Sequence, residues 1–364
     1  MNKLKIALVK QEVYQDLYVC PVTEKDPGQI LFSSMGRVGP IALMSDLNAD
    51  FYIVKEESNK ETRIYQKVIP HIAPYLHLLK TETLDKIPGQ EFKSPGSPYP
   101  NGKYAVSCYT IDWGQYDIVI SINISLPTQL ILKYPQTLFA YMIGEANMAT
   151  GKARFGYDAT LNQMARGRIS HKCGAIDFPY TFVAKNTLEK IMQQYLGRPS
   201  ARKGIFMEIN STTERPVTRI PDHFQPLADA GYEIILHQQK IADNLKNIYD
   251  AKYFVKMGGR SIRGNSVAEA VSLGTLAIMN RDEVIHHELI IDECNVKTMD
   301  EMISLINRLE NDPELYRTLQ QKQRQVLHTY FFDAPLQSLI NCLKEKRGLS
   351  KPRTYLSLIH ISEP

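Results

Sequence analysis

The sequence predicts an α/β fold in two units, each built on a parallel sheet. Strand-like and helix-like runs alternate along most of the 364 residues, which is the pattern left by repeated βαβ connections. The length suits two domains of roughly 100–200 residues each. The 43% hydrophobic content supplies apolar material for two cores. A Gly197-Arg198-Pro199-Ser200 break lies between a helical run and a strand, and it predicts a division into 1–197 and 198–334, followed by a terminal helix in 335–355.

The elements follow in order. K-I-A-L-V-K from Lys5 is a short β-rich run. Gly36 to Leu47 reads as a glycine-opened helix, and D-F-Y-I-V-K from Asp50 as the next strand. Ile87 to Gly102 is dense in Pro and Gly and reads as an irregular connector. Strands are expected at Tyr116–Ile122, Thr137–Ile143 and Asp158–Asn162, then a helix at Thr187–Leu196. The second half is more regular. It begins with strand Lys203–Ile209, helix Asp222–Ala230 stopped by Gly231, and strand Tyr232–His237. Helix Ile241–Tyr249, strand Tyr253–Met257, helix Ser266–Leu273 and a strand from Thr275 come next. Helices Met299–Leu309, Pro313–Tyr330 and Pro335–Lys346 close the chain, with Pro313 where a helix N-terminus tolerates proline.

Composition excludes several functions. There are 43 Lys+Arg against 39 Asp+Glu, a net charge of +4, and no tail of like charges, which argues against a dedicated nucleic-acid binder. The five cysteines, Cys20, Cys108, Cys173, Cys294 and Cys342, are scattered without a C-x-x-C pair. They read as reduced thiols of a cytoplasmic protein and predict neither a disulfide framework nor a metal site. No run reaches the ~18 apolar residues of a membrane span. The N-terminal apolar run stops after Val9, as a buried strand does and a signal peptide does not. The last nine residues, L-S-L-I-H-I-S-E-P (356–364), resemble the translation of an adaptor used in DNA library preparation and are expected to lie outside the fold.

The stretch Val255 to Ile278 carries the most chemistry. It runs strand, G-G-R-S-I-R-G-N-S-V-A-E-A-V-S-L-G, strand. Gly258, Gly259 and Gly264 let backbone turn sharply and approach a ligand. Ser266 is expected to open a helix whose free N–H groups, with Asn265 beside them, suit an anion. Arg260 and Arg263 add guanidinium groups matched to phosphate, or else are solvated surface. Glu269, three residues past Ser266, is placed equally to close a capping box or to reach the hydroxyls of a ligand. The stretch is not a Walker loop, because no G-K-[ST] follows, and it lacks G-x-G-x-x-G.

G-N-S-V-A-E-A-V-S-L-G-T-L-A-I resembles the C-terminal segment of GT-B glycosyltransferases of the family-4 type, E-G-x-x-x-x-x-x-E-A-x-A-x-G-x-P-V-I. The resemblance implies two Rossmann-like domains with parallel sheets facing across a cleft. It also implies that Glu269 binds the ribose of a nucleotide sugar, while the turn before it and the helix N-terminus hold the diphosphate. The first Glu of the family pattern falls on Ser261, so the E-x7-E motif is degenerate here. Weaker likeness runs in order along the chain. Ser34 to Val54 resembles the N-terminal glycine loop, helix and second strand. Y-D-I-V-I-S-I-N and T-L-F-A-Y-M-I-G-E resemble the two strands that follow, with Gly144-Glu145 where the family carries a catalytic His or Asp. Cys173 to Phe182 resembles the turn before the interdomain linker. Met207 to Pro216 sits where the family has its phosphate-binding Arg and Lys; Asn210 occupies the Arg position, and Arg215 is the available cation.

Transfer of a glycosyl group needs stabilisation of a departing nucleoside diphosphate, which in such proteins comes from positive side chains and a helix dipole without a metal. A carboxylate or imidazole near the anomeric carbon serves as base in an inverting reaction. Glu145 is the first candidate, against the alternative of an ordinary loop carboxylate, and His171 and Asp177 stand second. His237, at a strand end, is a candidate for the nucleotide, or a residue satisfying backbone groups. His286-His287 lies in a charged stretch and reads as surface. The expected function is a glycosyltransferase taking a nucleoside-diphosphate sugar to a saccharide or lipid-linked acceptor in bacterial surface polysaccharide synthesis, cytoplasmic or peripheral at the membrane. The alternatives are a catalytically degenerate protein of this fold that binds a nucleotide sugar or a partner, and a nucleotide-sugar epimerase.

Overall fold

The structure is a computed structural model that describes residues 4–11, 47–54, 73–79, 108, 110–122, 126, 128–143, 156–162, 176–178, 188–208, 218–237, 241–258 and 265–348. The connector at 87–102, the terminal nine residues and the helix expected from Gly36 lie outside them, apart from helical Leu47. Two parallel sheets organise the chain. The first contains β1 (Ile6–Gln11), β2 (Asp50–Val54), β3 (Leu76–Leu79), β4 (Ile118–Ile122), β5 (Leu138–Ile143), β6 (Ala159–Asn162) and β7 (Ile176–Asp177). Its spatial order is β3-β2-β1-β4-β5-β6-β7, every pair parallel, so the order reverses between β1 and β4. The second contains β8 (Ile205–Met207), β9 (Ile234–Ile235), β10 (Tyr253–Lys256) and β11 (Leu276–Met279), in the order β11-β10-β8-β9 and again all parallel. Its reversal falls between β8 and β10. Two parallel-sheet α/β units are therefore present, in the Rossmann-like manner.

The helices are α1 (Thr128–Leu132), α2 (Leu188–Leu196), α3 (Gln225–Asp229), α4 (Ile241–Asp250), α5 (Asn265–Ser272), α6 (Met299–Asn311), α7 (Pro313–Leu327) and α8 (Ala334–Lys346). Parallel sheets are covered on both faces, which explains why β10 and β11 read as unbroken apolar runs. On one face of the second sheet, Ile205, Met207, Tyr253, Val255, Leu276 and Ile278 pack with Met302, Ile306 and Leu309 of α6 and with Tyr316 and Leu319 of α7. Phe206, Phe254 and Ala277 face the other way, toward Leu245 and Ile248 of α4 and Val267 and Val271 of α5. The chain turns before β9 at Gly231, whose φ of +88° suits the glycine stop. Thr298 and Glu301 close a capping box at α6, and Asp312 caps α7 with Pro313 behind it.

Four elements differ from the sequence expectation. Strand β3 and helix α1 were not expected, because four- and five-residue runs hold too few positions to display a period. Ile176–Asp177 was expected to be a turn but pairs in parallel with Leu161–Asn162, the edge of β6 converting it to strand. The single helix expected over Pro313–Tyr330 ends at Leu327 and passes through a π-helical turn, His328–Asp333, into α8. Pro335 has no N–H to donate into the preceding turn, which favours a local change of hydrogen-bond pattern there.

Helix α8 ends against the amino ends of first-sheet strands. Lys346 Nζ donates to Thr137 O at 2.7 Å and to Asp158 at 2.6 Å, and Arg347 donates to Gln136 O at 2.8 Å and pairs with Asp117 at 2.9 Å. Helix α2 packs on α4 and α5, and its Glu189 accepts from both Arg202 and Arg324. Among the described residues no helix is long and apolar enough to cross a membrane.

Strand β11 borders the second sheet, and a side chain covers its free edge. Gln323 on α7 is buried at 1% exposure; its Oε1 accepts from Ala277 N at 2.9 Å and its Nε2 donates to Ala277 O at 2.7 Å. The amide thus pairs Ala277 as a neighbouring strand would, and farther along the same edge Met279 bridges Asn295. Replacing Gln323 with Leu leaves two buried backbone groups unpaired, and the expected loss is about 2–6 kcal/mol, at ~1–3 kcal/mol for each group. Urea unfolding measures it; a loss below about 0.5 kcal/mol would show that the two groups find other partners.

Candidate functional site

In an open parallel sheet, ligands bind beyond the carboxyl ends of the strands where the strand order reverses. In the second sheet that place lies between β8 and β10, and each strand ends on a charged side chain. Glu208 follows β8, donates its N–H to Val255 O at 2.9 Å and is 7% exposed. Lys256 is the last residue of β10, and its side chain has no exposure. Both are charged groups placed at the mouth of an otherwise apolar sheet.

Lys256 belongs to a closed set of contacts. Its Nζ pairs with Glu283 Oε2 and donates to Gly258 O at 3.0 Å. Glu283 Oε1 accepts from Gly258 N–H at 2.9 Å. Glu283 reaches this point from a short 3-10 turn, Arg281–Glu283, beyond β11, and Asn280 caps that turn by accepting from Asp282 N–H at 3.0 Å. Gly258 adopts φ +71°, a conformation that only glycine takes without strain.

Helix α5 begins at Asn265, one residue before the expected start. Ser266 is therefore inside the first turn and does not cap it, and Glu269 lies beyond the position a capping box requires. Glu269 is partly buried, and desolvation, joined by the charge of nearby Glu208, pushes its carboxyl up to about 8. At neutral pH it is a neutral acid, able to donate as well as accept a hydrogen bond. Ser266 is partly buried in the same first turns.

His237 follows β9 at the same edge of the sheet. Its ring lies against Phe206, centroids 6.0 Å apart, and its Nε2 is 3.2 Å from Asn244 Nδ2 on α4. Among the expected site residues, Ser266, Glu269 and His237 thus gather at the carboxyl end of the second sheet. Asn265 opens α5 and Asp177 ends β7, with their backbones described. Glu145, His171, Arg215, Gly259, Arg260, Arg263 and Gly264 lie outside the described residues, as does Cys173.

One histidine expectation is corrected. His286 is not on the surface: it has no exposure, and its ring meets Phe331 edge-on at 4.9 Å and Tyr330 at 6.1 Å. The flanking Val284, Leu289 and Ile290, all buried, are the sequence signal that this stretch turns inward. His287 is partly exposed, with Glu288 at 3.6 Å. Glu208, Lys256 and Glu283 were not singled out from the sequence. A lysine at the end of the apolar run Y-F-V-K-M was the visible signal for one of them, whereas Glu283 lies in a charged run that marks it in no way.

No family model matches the chain, and no curated protein matches its sequence. Solved structures similar to it include a glycosyltransferase from Rickettsia africae, at 12% identity over 96% of this chain and 100% of that one, with a TM-score of 0.48. A sucrose-phosphate synthase from Thermosynechococcus elongatus is similar at 14% identity over 95% and 100%, with a TM-score of 0.47. The T4 phage BGT in complex with its UDP-glucose substrate is similar at 11% identity over 94% and 99%, with a TM-score of 0.39.

Proposed function

We propose that the protein is a glycosyltransferase that takes a nucleoside-diphosphate sugar as donor and passes the sugar to a saccharide or lipid-linked acceptor, in surface polysaccharide synthesis and at times beside the membrane. The observation that carries the proposal is the opening of α5 just past β10, beside the strand reversal, with Glu269 one turn inside it. A helix N-terminus at that place favours an anion. A neutral carboxyl one turn in can exchange hydrogen bonds with a ribose hydroxyl while adding no repulsion to the phosphates.

In this reading residues 198–334 hold the donor and 1–197 the acceptor, with 335–355 returning to the first unit. Gly259, Arg260, Arg263, Gly264, Asn265 and Ser266 receive the diphosphate; Arg215 and His237 complete the nucleotide contacts. Guanidinium groups and the helix dipole stabilise the leaving nucleoside diphosphate. Glu145 is assigned the base, with His171 and Asp177 as further acid–base groups of the acceptor side. A second reading, a binding protein of the same fold without turnover, is favoured by Ser261 in the place of the first Glu of the E-x7-E pattern. A panel of UDP-, GDP- and CMP-sugars separates the two: release of the nucleotide marks the transferase, and binding without release marks the second reading.

Two outcomes test Glu269. Glu269→Ala is expected to weaken nucleoside-diphosphate binding roughly 10- to 100-fold in calorimetry, the equivalent of about 1.5–3 kcal/mol; an unchanged affinity removes Glu269 from the site. Its raised acidity also fixes a pH dependence. Above about 8 the free protein carries a charged Glu269 that repels the phosphates, so affinity falls as pH rises through that value, and Glu269→Gln flattens the fall. Stability obeys the same linkage. Between the ordinary value of 4.5 and about 8 the native state holds a proton that the unfolded chain releases, so stability declines with rising pH across that window. Glu269→Gln therefore raises the melting temperature above pH 8, by about 2 °C or more, and the gain vanishes near pH 4.

A further inference from the structure

We infer that Lys256 and Glu283 are positioning residues of the donor site, a clip that sets how the chain leaves β10 on its way to α5; the identity of the ligand rests on the glycosyltransferase reading above. The clip holds Gly258 from both sides, by the N–H of one peptide and the carbonyl of the next. Glu283 accepts the N–H of Gly258 and Lys256 donates to its carbonyl, while the two side chains pair with each other. No described residue stands within 4 Å of where a Cβ of Gly258 would be, and its φ of +71° is the conformation that favours glycine.

A purely stabilising role is a poor account of this pair. Lys256 ends a strand whose other residues, Tyr253, Phe254 and Val255, are apolar and buried, and a buried ion pair is seldom worth more to stability than well-packed apolar side chains of like volume. What the ions add is direction. Three contacts, from the end of β10 and from the turn beyond β11, restrain the two peptides that flank Gly258, where the chain leaves the sheet toward α5. The pair is also neutral as a unit. Lys256 is held by Glu283, so it sets geometry without placing a free ammonium beside the phosphates.

The inference separates Lys256 and Glu283 from residues that touch the donor, and it has its own readouts. Lys256→Met keeps the bulk of the side chain and removes the charge and the donor. Glu283→Gln keeps an acceptor for Gly258 N–H and removes the charge. Lys256→Arg keeps both charge and donor. In each full-length variant, amide hydrogen exchange over residues 257–266 is followed without ligand, and UDP, GDP and ADP are titrated by calorimetry. For any donor that turns over, KM for donor and acceptor is measured.

Lys256→Met and Glu283→Gln are expected to accelerate exchange in 257–266 at least tenfold, with exchange in β8 and α6 unchanged. They are expected to weaken binding of the preferred diphosphate tenfold or more, and to raise donor KM without changing acceptor KM. Lys256→Arg restores most of both effects. Unchanged exchange in 257–266 in a folded variant overturns the clip, and so does wild-type affinity for the diphosphate. If Lys256→Met does not fold, Glu283→Gln decides; if neither folds, the pair is a stabilising element and the inference fails. If the wild-type protein binds none of the three diphosphates, the glycosyltransferase reading fails. The exchange result then judges the clip by itself, changed exchange upholding it as a determinant of local geometry and unchanged exchange removing it.

Discussion

Both sheets are parallel throughout, and this constraint governs where chemistry can occur. A parallel sheet connected by helices is covered on both faces, so its strand interiors are mostly apolar, with exceptions such as Ser121 in β4, and charged groups collect where strands end. Lys256 shows the rule at its limit. It sits at the last position of β10 with no exposed side-chain area, and such a charge persists in a folded protein only with its partners around it. Glu283 and the Gly258 carbonyl supply them, and so tie the end of β10 to the turn beyond β11.

The same end of the sheet gathers two more carboxyl groups in different states. Glu208 lies at the end of β8, and Glu269 is pushed to about 8 first by its burial and then by the charge of Glu208. A site with one neutral acid, one nearby acid and one ion pair closed on itself has little net charge, although it is rich in ionisable groups. On the proposed reading, an anion site made from a helix N-terminus and a few placed side chains would leave almost no trace in a net charge of +4. The terminal helix, in contrast, fastens to the amino ends of β4, β5 and β6 through Lys346 and Arg347, at the other end of the first sheet from its carboxyl ends.

Much of the architecture was legible because period and punctuation agreed. The strand Y-F-V-K-M, the helix over Ser266–Leu273 and the strand from Thr275 appear within a residue or two of expectation, and Gly231, Pro313 and Asp312 mark boundaries by their own backbone chemistry. The less legible parts share one physical cause. Strand β7 exists because β6 offers an edge, and the π-helical turn before α8 arises where a long helix meets Pro335; neither is coded by the residues alone. His286 reads as polar in a charged run, yet aromatic rings of a segment more than forty residues later enclose it.

The sequence by itself determined the class of fold, most of the succession of elements and the one stretch, from Val255 to Ile278, in which glycines, a helix start and Glu269 coincide. These are local properties: period, caps and turns act over a few neighbours along the chain. Only the tertiary structure decided that Glu208 stands close enough to Glu269 to help hold it protonated, and that Glu283 reaches back to Lys256. It also decided that Gln323 completes the edge of β11. Each of these joins residues more than twenty positions apart whose meeting depends on strand order, and strand order follows from how whole sheets bury their faces and not from any local run of residues.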